Sequence, residues 1–531
     1  MDAPFTDFHA VPCYLAAKAF LLTLPAGKTD KTGMPCTLRV WTMTFCLLAG
    51  TGLGPTFGLY GQEKPPLPGL RERSSVKEIA ALGAPKPLPV DKPLPINLPT
   101  ALTLAHAQPL DIALASERLR VAAAQLDRAK VLWLPSLTLG ADYYRHDGRI
   151  QDTPGVIMDT SKSSFLAGVA PTAIFQIGDA IFEPLAARQV LRARQADVEA
   201  AANDSLLAVA EAYFNVQQAR GELAGADDAL RRAEELVRRT DKLSPGLVPP
   251  LEASRARAEA ARRRQNRLSA RERWRTASAE LNRLLRLDAT TLVEPLEPPQ
   301  LQMILLDPNQ ALDDLIPIAL MQRPELAAQQ ALVQATLQRL RAERLRPLVP
   351  SILLRGAATN PSGTLAAGVF GGGRNDDLSH FGWRGDFDLQ VLWELQNLGF
   401  GNKARVDERR AENRLSVLEL MRLQDRIAAE VAQAHAQTVS ASARVIEAES
   451  GLKEALDSVE KNFQGLSQTK RLGGDVILLV VRPQEVVAAI QALAAAYTDY
   501  YGAVGDANRA QFRLYRALGH PAKQILQPQA P

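Results

Sequence analysis

Residues 108–139, QPLDIALASERLRVAAAQLDRAKVLWLPSLTL, return as residues 323–354, RPELAAQQALVQATLQRLRAERLRPLVPSILL, 215 positions further along the chain. Each copy runs helically with no proline between Pro109 and Pro135 or between Pro324 and Pro347, reaches Leu-Pro-Ser or Val-Pro-Ser, then changes to period-two alternation. A change of hydrophobic period at a shared point predicts helix handing over to strand, and its recurrence predicts one module written twice.

The likeness continues past the switch. A loop bearing glycine and aspartate, a second alternating stretch and a very long alanine- and charge-rich helix come next in both copies. There the copies align at an offset of 222, with Val209, Tyr213 and Leu223 opposite Val431, His435 and Val445. The seven extra residues therefore fall in the second hairpin.

No proline occurs from Lys403 to Lys470, which allows an uninterrupted helix of roughly 100 Å. Its first-repeat counterpart runs from about Leu185 to Thr240. Leu223, Leu230 and Val237, and likewise Val445, Leu452, Val459 and Leu466, stand seven apart, the spacing of a supercoiling seam. Returning helices are predicted at 251–287 and 484–518, with shorter ones before the strands at 109–133 and 324–346. Two short helices stacked end to end would line each long one.

The strand half carries a different message. In WRGDFDLQVLWE, residues 383–394, Trp383, Phe387, Leu389, Val391 and Trp393 alternate with Arg384, Asp386, Asp388, Gln390 and Glu394. One face is apolar and the other charged. Two tryptophans ten residues apart bracket a strand long enough to cross a bilayer with an aromatic at each interface. Leu137, Leu139, Ala141 and Tyr143 repeat the pattern, and 164–176 and 351–359 show weaker versions. About four strands per chain cannot close a barrel, and open edges in lipid would leave backbone groups unpaired. Three copies would supply twelve strands, enough for a water-filled lumen.

The 531 residues are 46% hydrophobic, 5% aromatic and 23% charged, which fits alanine-rich helix better than a disordered chain or a helical membrane bundle. A net charge of +4, with arginines interleaved among acids, does not indicate a nucleic-acid partner. All three cysteines lie in the first 46 residues. There Met34-Pro-Cys-Thr-Leu-Arg39 and the apolar run Val40 to Leu48 have the layout of a secretory signal, with Met34 as the start. The expected organisation is a leader at 1–61, a proline-rich linker at 62–99, a first repeat at 100–291 with its hairpin at about 136–176, and a proline-rich crossing at 292–312. A second repeat at 313–520, with its hairpin at about 351–394, and a tail at 521–531 complete it.

The histidines, at 9, 106, 146, 380, 435 and 520, have no paired helical spacing, so no metal site and no cofactor are expected. Gly371-Gly372-Gly373 is predicted to be a flexible outer hairpin loop. The acids Glu449, Glu454, Asp457 and Glu460 have Lys453 and Lys461 among them and predict a solvated helix face, not a catalytic pair. No catalytic constellation is present, and the chain is not expected to be an enzyme.

In this order, the duplicated helix-strand-strand-helix module, the Leu-Pro-Ser and Val-Pro-Ser entries, AEAYFNVQQAR and the closing RLYRALG resemble the TolC-type outer-membrane efflux protein family over nearly all of residues 100–520. The resemblance implies a homotrimer with a twelve-strand barrel in the outer membrane and a twelve-helix tunnel in the periplasm. It implies an exit duct for an efflux pump or a type I secretion system, docked by a periplasmic adaptor and powered by an inner-membrane pump. Arg384, Asp386, Asp388, Gln390 and Glu394 would line the lumen, while Trp383, Phe387, Leu389, Val391 and Trp393 would face lipid. Arg471, Gly473, Gly474 and Asp475 match the family's turn at the tunnel mouth, with Pro245 and Gly246 at the other tip. Where well-known members carry two acids beyond that turn, this chain has Leu479 and Arg482, so a leucine seal and an arginine ring favouring anions are expected instead. The rival reading is a periplasmic coiled-coil adaptor or scaffold.

Overall fold

A computed structural model describes residues 92–107, 109–243, 247–355, 365, 367–374, 377–472 and 476–520. The leader, most of the linker and the tail lie outside the described residues, and so do Pro245, Gly246, Gly473, Gly474 and Asp475.

The first repeat opens with β1 (Lys92–Ile96) and α1 (Leu98–Ala107), followed by α2 (Leu110–Lys130) and a single 3-10 turn. The strands β2 (Ser136–Gln151) and β3 (Ile157–Gln176) lead into α3 (Ile177–Leu243) and α4 (Pro250–Leu285), and β4 (Thr291–Pro295) closes the repeat. The second repeat follows as α5 (Leu312–Gln322), α6 (Pro324–Leu345), β5 (Ser351–Arg355), β6 (Ala367–Arg374), β7 (Ser379–Gly385) and β8 (Asp388–Leu392). It ends with α7 (Phe400–Leu466), β9 (Thr469–Leu472), β10 (Val476–Leu479) and α8 (Pro483–Ala517).

Both long helices contain 67 residues, about 100 Å each. Pro184 is the eighth residue of α3, past the first turn, so it removes one N–H bond to the carbonyl four residues back. The short helices do stack along the long ones: α2 and α4 pack on one flank of α3, while α6 and α8 pack between α3 and α7. The heptad seam is buried as its spacing requires, since Leu223, Val445, Leu452, Val459 and Leu466 are all inaccessible. One core gathers Tyr213, Phe214, Trp274 and Phe512 where α1, α3, α4 and α8 meet, with the Trp274 indole donating to the Val293 carbonyl at 2.9 Å. A second gathers Tyr497, Tyr500 and Tyr501 between α8, α7 and α3.

Close helix approach explains two glycines of α3. A Cβ on Gly221 would collide with the Tyr501 ring, and one on Gly225 would stand 2.6 Å from Tyr497. Glycine at both positions, one turn apart, lets two tyrosines of α8 seat against the α3 backbone.

The linker and the glycine run differ from expectation. Lys92–Ile96, the end of the proline-rich stretch, is a strand paired in parallel with β4, and α1 begins at Leu98. Proline is compatible with such an edge strand because only one side must donate hydrogen bonds. Gly371, Gly372 and Gly373 are not a loop but part of β6, paired with β3 and, at Gly372, with Ser379 of β7. Glycine is required within this strand, because a Cβ on Gly371 would run into the Phe381 ring across the sheet.

Candidate channel wall and tip

The six strands of the main sheet make four lanes. Among the described residues β2 pairs only with β3. On its other side, β3 pairs with β6 and then β5, which pair in turn with β7 and β8. From Val169 to Thr172, β3 advances three residues while its partner advances twelve, from Ala367 back to Arg355. β2 at one margin and β7–β8 at the other keep a backbone edge that no described strand pairs.

Register decides which side chains share a face. Leu139 opposes Val169, Phe175 opposes Ile352, and Ile352 opposes Val391. Farther along, Ala167 opposes Val369, which opposes Trp383. Since directly opposed residues point the same way, Leu137, Leu139, Tyr143, Phe175, Trp383, Leu389 and Val391 occupy a single apolar face across all four lanes. The described residues of the protomer leave it uncovered: Trp383 is 77% exposed, Phe387 73% and Leu389 56%. Arg384, Asp386, Asp388 and Gln390 take the opposite face and are only half-exposed. There Arg384 pairs with Asp386 at 3.1 Å and lies over the Phe370 ring, and Gln390 donates to Asp388 at 2.8 Å.

The predicted strand 383–394 is broken into two. Asp386 and Phe387 fall between β7 and β8, and Trp393 and Glu394 lie past the end of β8, where Gln396 donates to Glu394 at 3.0 Å. The bracketing distance survives, because ten residues of tilted strand span about 25 Å along a bilayer normal. Trp133 and Phe175, with ring centroids 6.4 Å apart, lie at the same helical end of the sheet as Trp393.

At the opposite end of the helices, α7 stops at Leu466 and does not run on to Lys470. β9 and β10 form an antiparallel hairpin in which Thr469 opposes Leu479. The Gly473-Gly474 pair followed by the apolar run Val476 to Val481 is the signal in the sequence that points to it. Arg471 lies in β9, Leu479 is half-buried against the α7–α8 core, and Arg482 is exposed at the N-cap of α8.

The helical walls also have free flanks. α2 and α4 on one side expose Leu114, Val121 and Leu268, and α7 on the other exposes Leu418, Val439 and Ile446. Among the described residues no helix is long and apolar enough to cross a membrane, and no three metal-binding side chains converge.

This arrangement of four strand lanes on a duplicated helical wall recurs in solved structures. The Campylobacter jejuni CmeC outer membrane channel superposes with a TM-score of 0.65 at 15% identity, over 80% of this chain and 85% of that one. The open state of the Neisseria gonorrhoeae MtrE outer membrane channel gives 0.63 at 16% identity, over 81% and 91%. The outer membrane protein VceC of Vibrio cholerae gives 0.62 at 17% identity, over 80% and 96%. Residues 101–285 match the family described as outer membrane efflux protein. The fold is that of the outer-membrane efflux channels. No curated protein matches the sequence.

Proposed function

We propose that three copies of this chain form a passive outer-membrane exit duct, the outermost part of a tripartite efflux pump or type I secretion system. The observation that carries the reading is the uncovered apolar face, continuous across four lanes whose two outer edges have no partner among the described strands. Such a surface is stable only where acyl chains cover the face and a neighbouring copy pairs the edge, because each unpaired backbone group in hydrocarbon costs several kcal/mol. The free flanks of α2, α4 and α7 invite the same neighbours along the helices. Lumen and lipid then sort the side chains: Arg384, Asp386, Asp388, Gln390 and Glu394 inward, and Trp383, Phe387, Leu389, Val391 and Trp393 outward.

The helical tip is the docking and gating end, where a periplasmic adaptor engages the turns near Arg471 and an inner-membrane pump supplies the energy. With Arg482 exposed beside the mouth, three copies would make a cationic ring that favours anions. Arg482→Asp should reverse the anion-over-cation preference of single channels in planar bilayers, and unchanged selectivity would remove the ring from the reading. Cell fractionation tests the duct as a whole. A barrel trimer stays with the outer membrane and changes mobility on gels after boiling. A coiled-coil adaptor would be released by salt or follow the inner membrane.

A further inference from the structure

The sequence of α3 near its lower end, DALRRAEELVRR, repeats an acid followed by two arginines every seven residues. Asp228 is bonded by Arg231 at 2.9 Å and by Arg232 at 2.7 Å. Glu235 is bonded by Arg238 at 2.5 Å and by Arg239 at 2.7 Å. Each carboxylate is thus shared by two guanidiniums, and the groove beside them, lined by these four arginines with Asp228, Glu235 and Glu460, carries one net positive charge. The sharing holds the Glu235 carboxyl below its usual range through the Arg239 and Arg238 hydrogen bonds.

The four arginines do not play equivalent parts. Arg239 turns inward, its guanidinium 5.1 Å from the Phe463 ring and donating to the Phe463 carbonyl and the Ser467 hydroxyl. Arg231 and Arg238 point away, with side chains 69% and 63% exposed. They rim a groove of about 690 Å³ between α3 and the end of α7, whose far wall is Glu460, Phe463 and Gln464 of α7 with Ser467 and Gln468 just past it. Along α3 the groove runs from Asp228 to Arg239, about three helical turns, and its two outward arginines are about 10 Å apart.

We infer that this groove receives a helix of a partner protein through an arginine comb, with Arg231 and Arg238 reading carboxylates spaced seven residues apart on the incoming helix. Spacing and charge both select that occupant. Residues seven apart on a helix lie on one face at the same separation as the two arginines, and surplus positive charge on the rim favours an acidic face over a basic one. Gln464 and Gln468 supply hydrogen-bonding groups for the polar flank of the same helix. The inference rests on the reading of the helical tip as the docking end, and gives that end a chemical specificity.

The test uses the purified full-length trimer in detergent and two labelled, stapled helical peptides, one with glutamates seven apart and one with them five apart. Fluorescence anisotropy should show binding of the first, lost as salt is raised, and no binding of the second. Arg231→Ala with Arg238→Ala should weaken it about tenfold, and Arg231→Glu with Arg238→Glu should transfer binding to a peptide with lysines seven apart. Equal affinity for both glutamate peptides, or no effect of the double alanine change, would overturn the comb. Single-channel conductance of the same preparations in planar bilayers reports separately on the duct, so a failed comb with intact conductance leaves the channel reading standing. Both side chains are largely exposed, and an unchanged trimer melting temperature confirms that the variants fold.

Discussion

The sheet and the helices of this chain obey opposite rules of burial. In the sheet the uncovered residues are Trp383, Phe387 and Leu389, while the charged Arg384, Asp386 and Asp388 are the more sheltered ones. In the helices Leu452, Val459 and Trp274 are inaccessible while most arginines and glutamates lie outside. Both regions come from one duplicated module, so composition is not the cause. On the proposed duct reading the two ends of the module meet different solvents. Helices in water must bury an apolar stripe against each other, whereas strands with an apolar face outward need a hydrocarbon surrounding.

A matched pair of arginine substitutions puts that contrast to its hardest test. Leu389→Arg in β8 should abolish the boiling-sensitive trimer in the outer membrane, since a midplane arginine costs about 2–4 kcal/mol in each copy. Met321→Arg in α5, where the side chain is 77% exposed, should leave trimer yield unchanged, because isolated surface substitutions cost within about 0.5 kcal/mol. Equal yields from the two variants would mean that the exposed sheet face meets water after all.

Charge inside the helical half gives the next effect. Arg323 is almost fully buried, pairs with Glu325 at 2.9 Å and also bonds Glu430, while Arg516 reaches both of these acids. Arg323→Ala leaves acids short of a partner and should lower stability by about 3 kcal/mol, read as a fall in the melting temperature of the extracted protein. The same cluster predicts a pH response. Burial raises the Glu325 carboxyl, but the Arg323 bonds outweigh burial and hold it below the ordinary range. A carboxyl held low stabilises the fold above its unfolded value and loses that contribution as pH falls through the folded one. The melting temperature should therefore drop below about pH 4, less so in Arg323→Ala.

The smallest effect concerns the helical side alone. Gly225→Ala places a methyl group where Tyr497 now lies and should cost about 1–3 kcal/mol, while Gly451→Ala, on α7 with open space around it, should be neutral or slightly stabilising. Differential scanning of the two variants separates close packing from helix propensity. If both behaved alike, the tyrosine-on-glycine contact would not bear on the α3–α8 seam.

Most of the fold was legible in the chain. The repeat, the period change at Leu-Pro-Ser and Val-Pro-Ser, and the ends of α4, α6 and α8 to within two residues follow from periodicity and proline placement, because helices and half-buried strands impose different spacings on apolar residues. The two faces from Trp383 to Val391 were legible too, since alternation sorts those side chains apart. Less could be read where pairing is non-local. That Lys92–Ile96 becomes a strand depends on Thr291–Pro295, some 200 residues away, and no local pattern encodes such a partner.

Periodicity along the chain is enough to say which residues share an apolar face and where helix gives way to strand, since both are consequences of backbone geometry within a few residues. Packing between distant segments sets the register that gathers Leu139, Phe175, Val391 and Trp383 onto one continuous face. It also makes Gly371 to Gly373 complete a strand, and places Arg231 and Arg238 on the rim of a groove with α7. Those outcomes need segments far apart in sequence to meet at a particular offset, and one bulky ring or one missing Cβ settles where that offset falls.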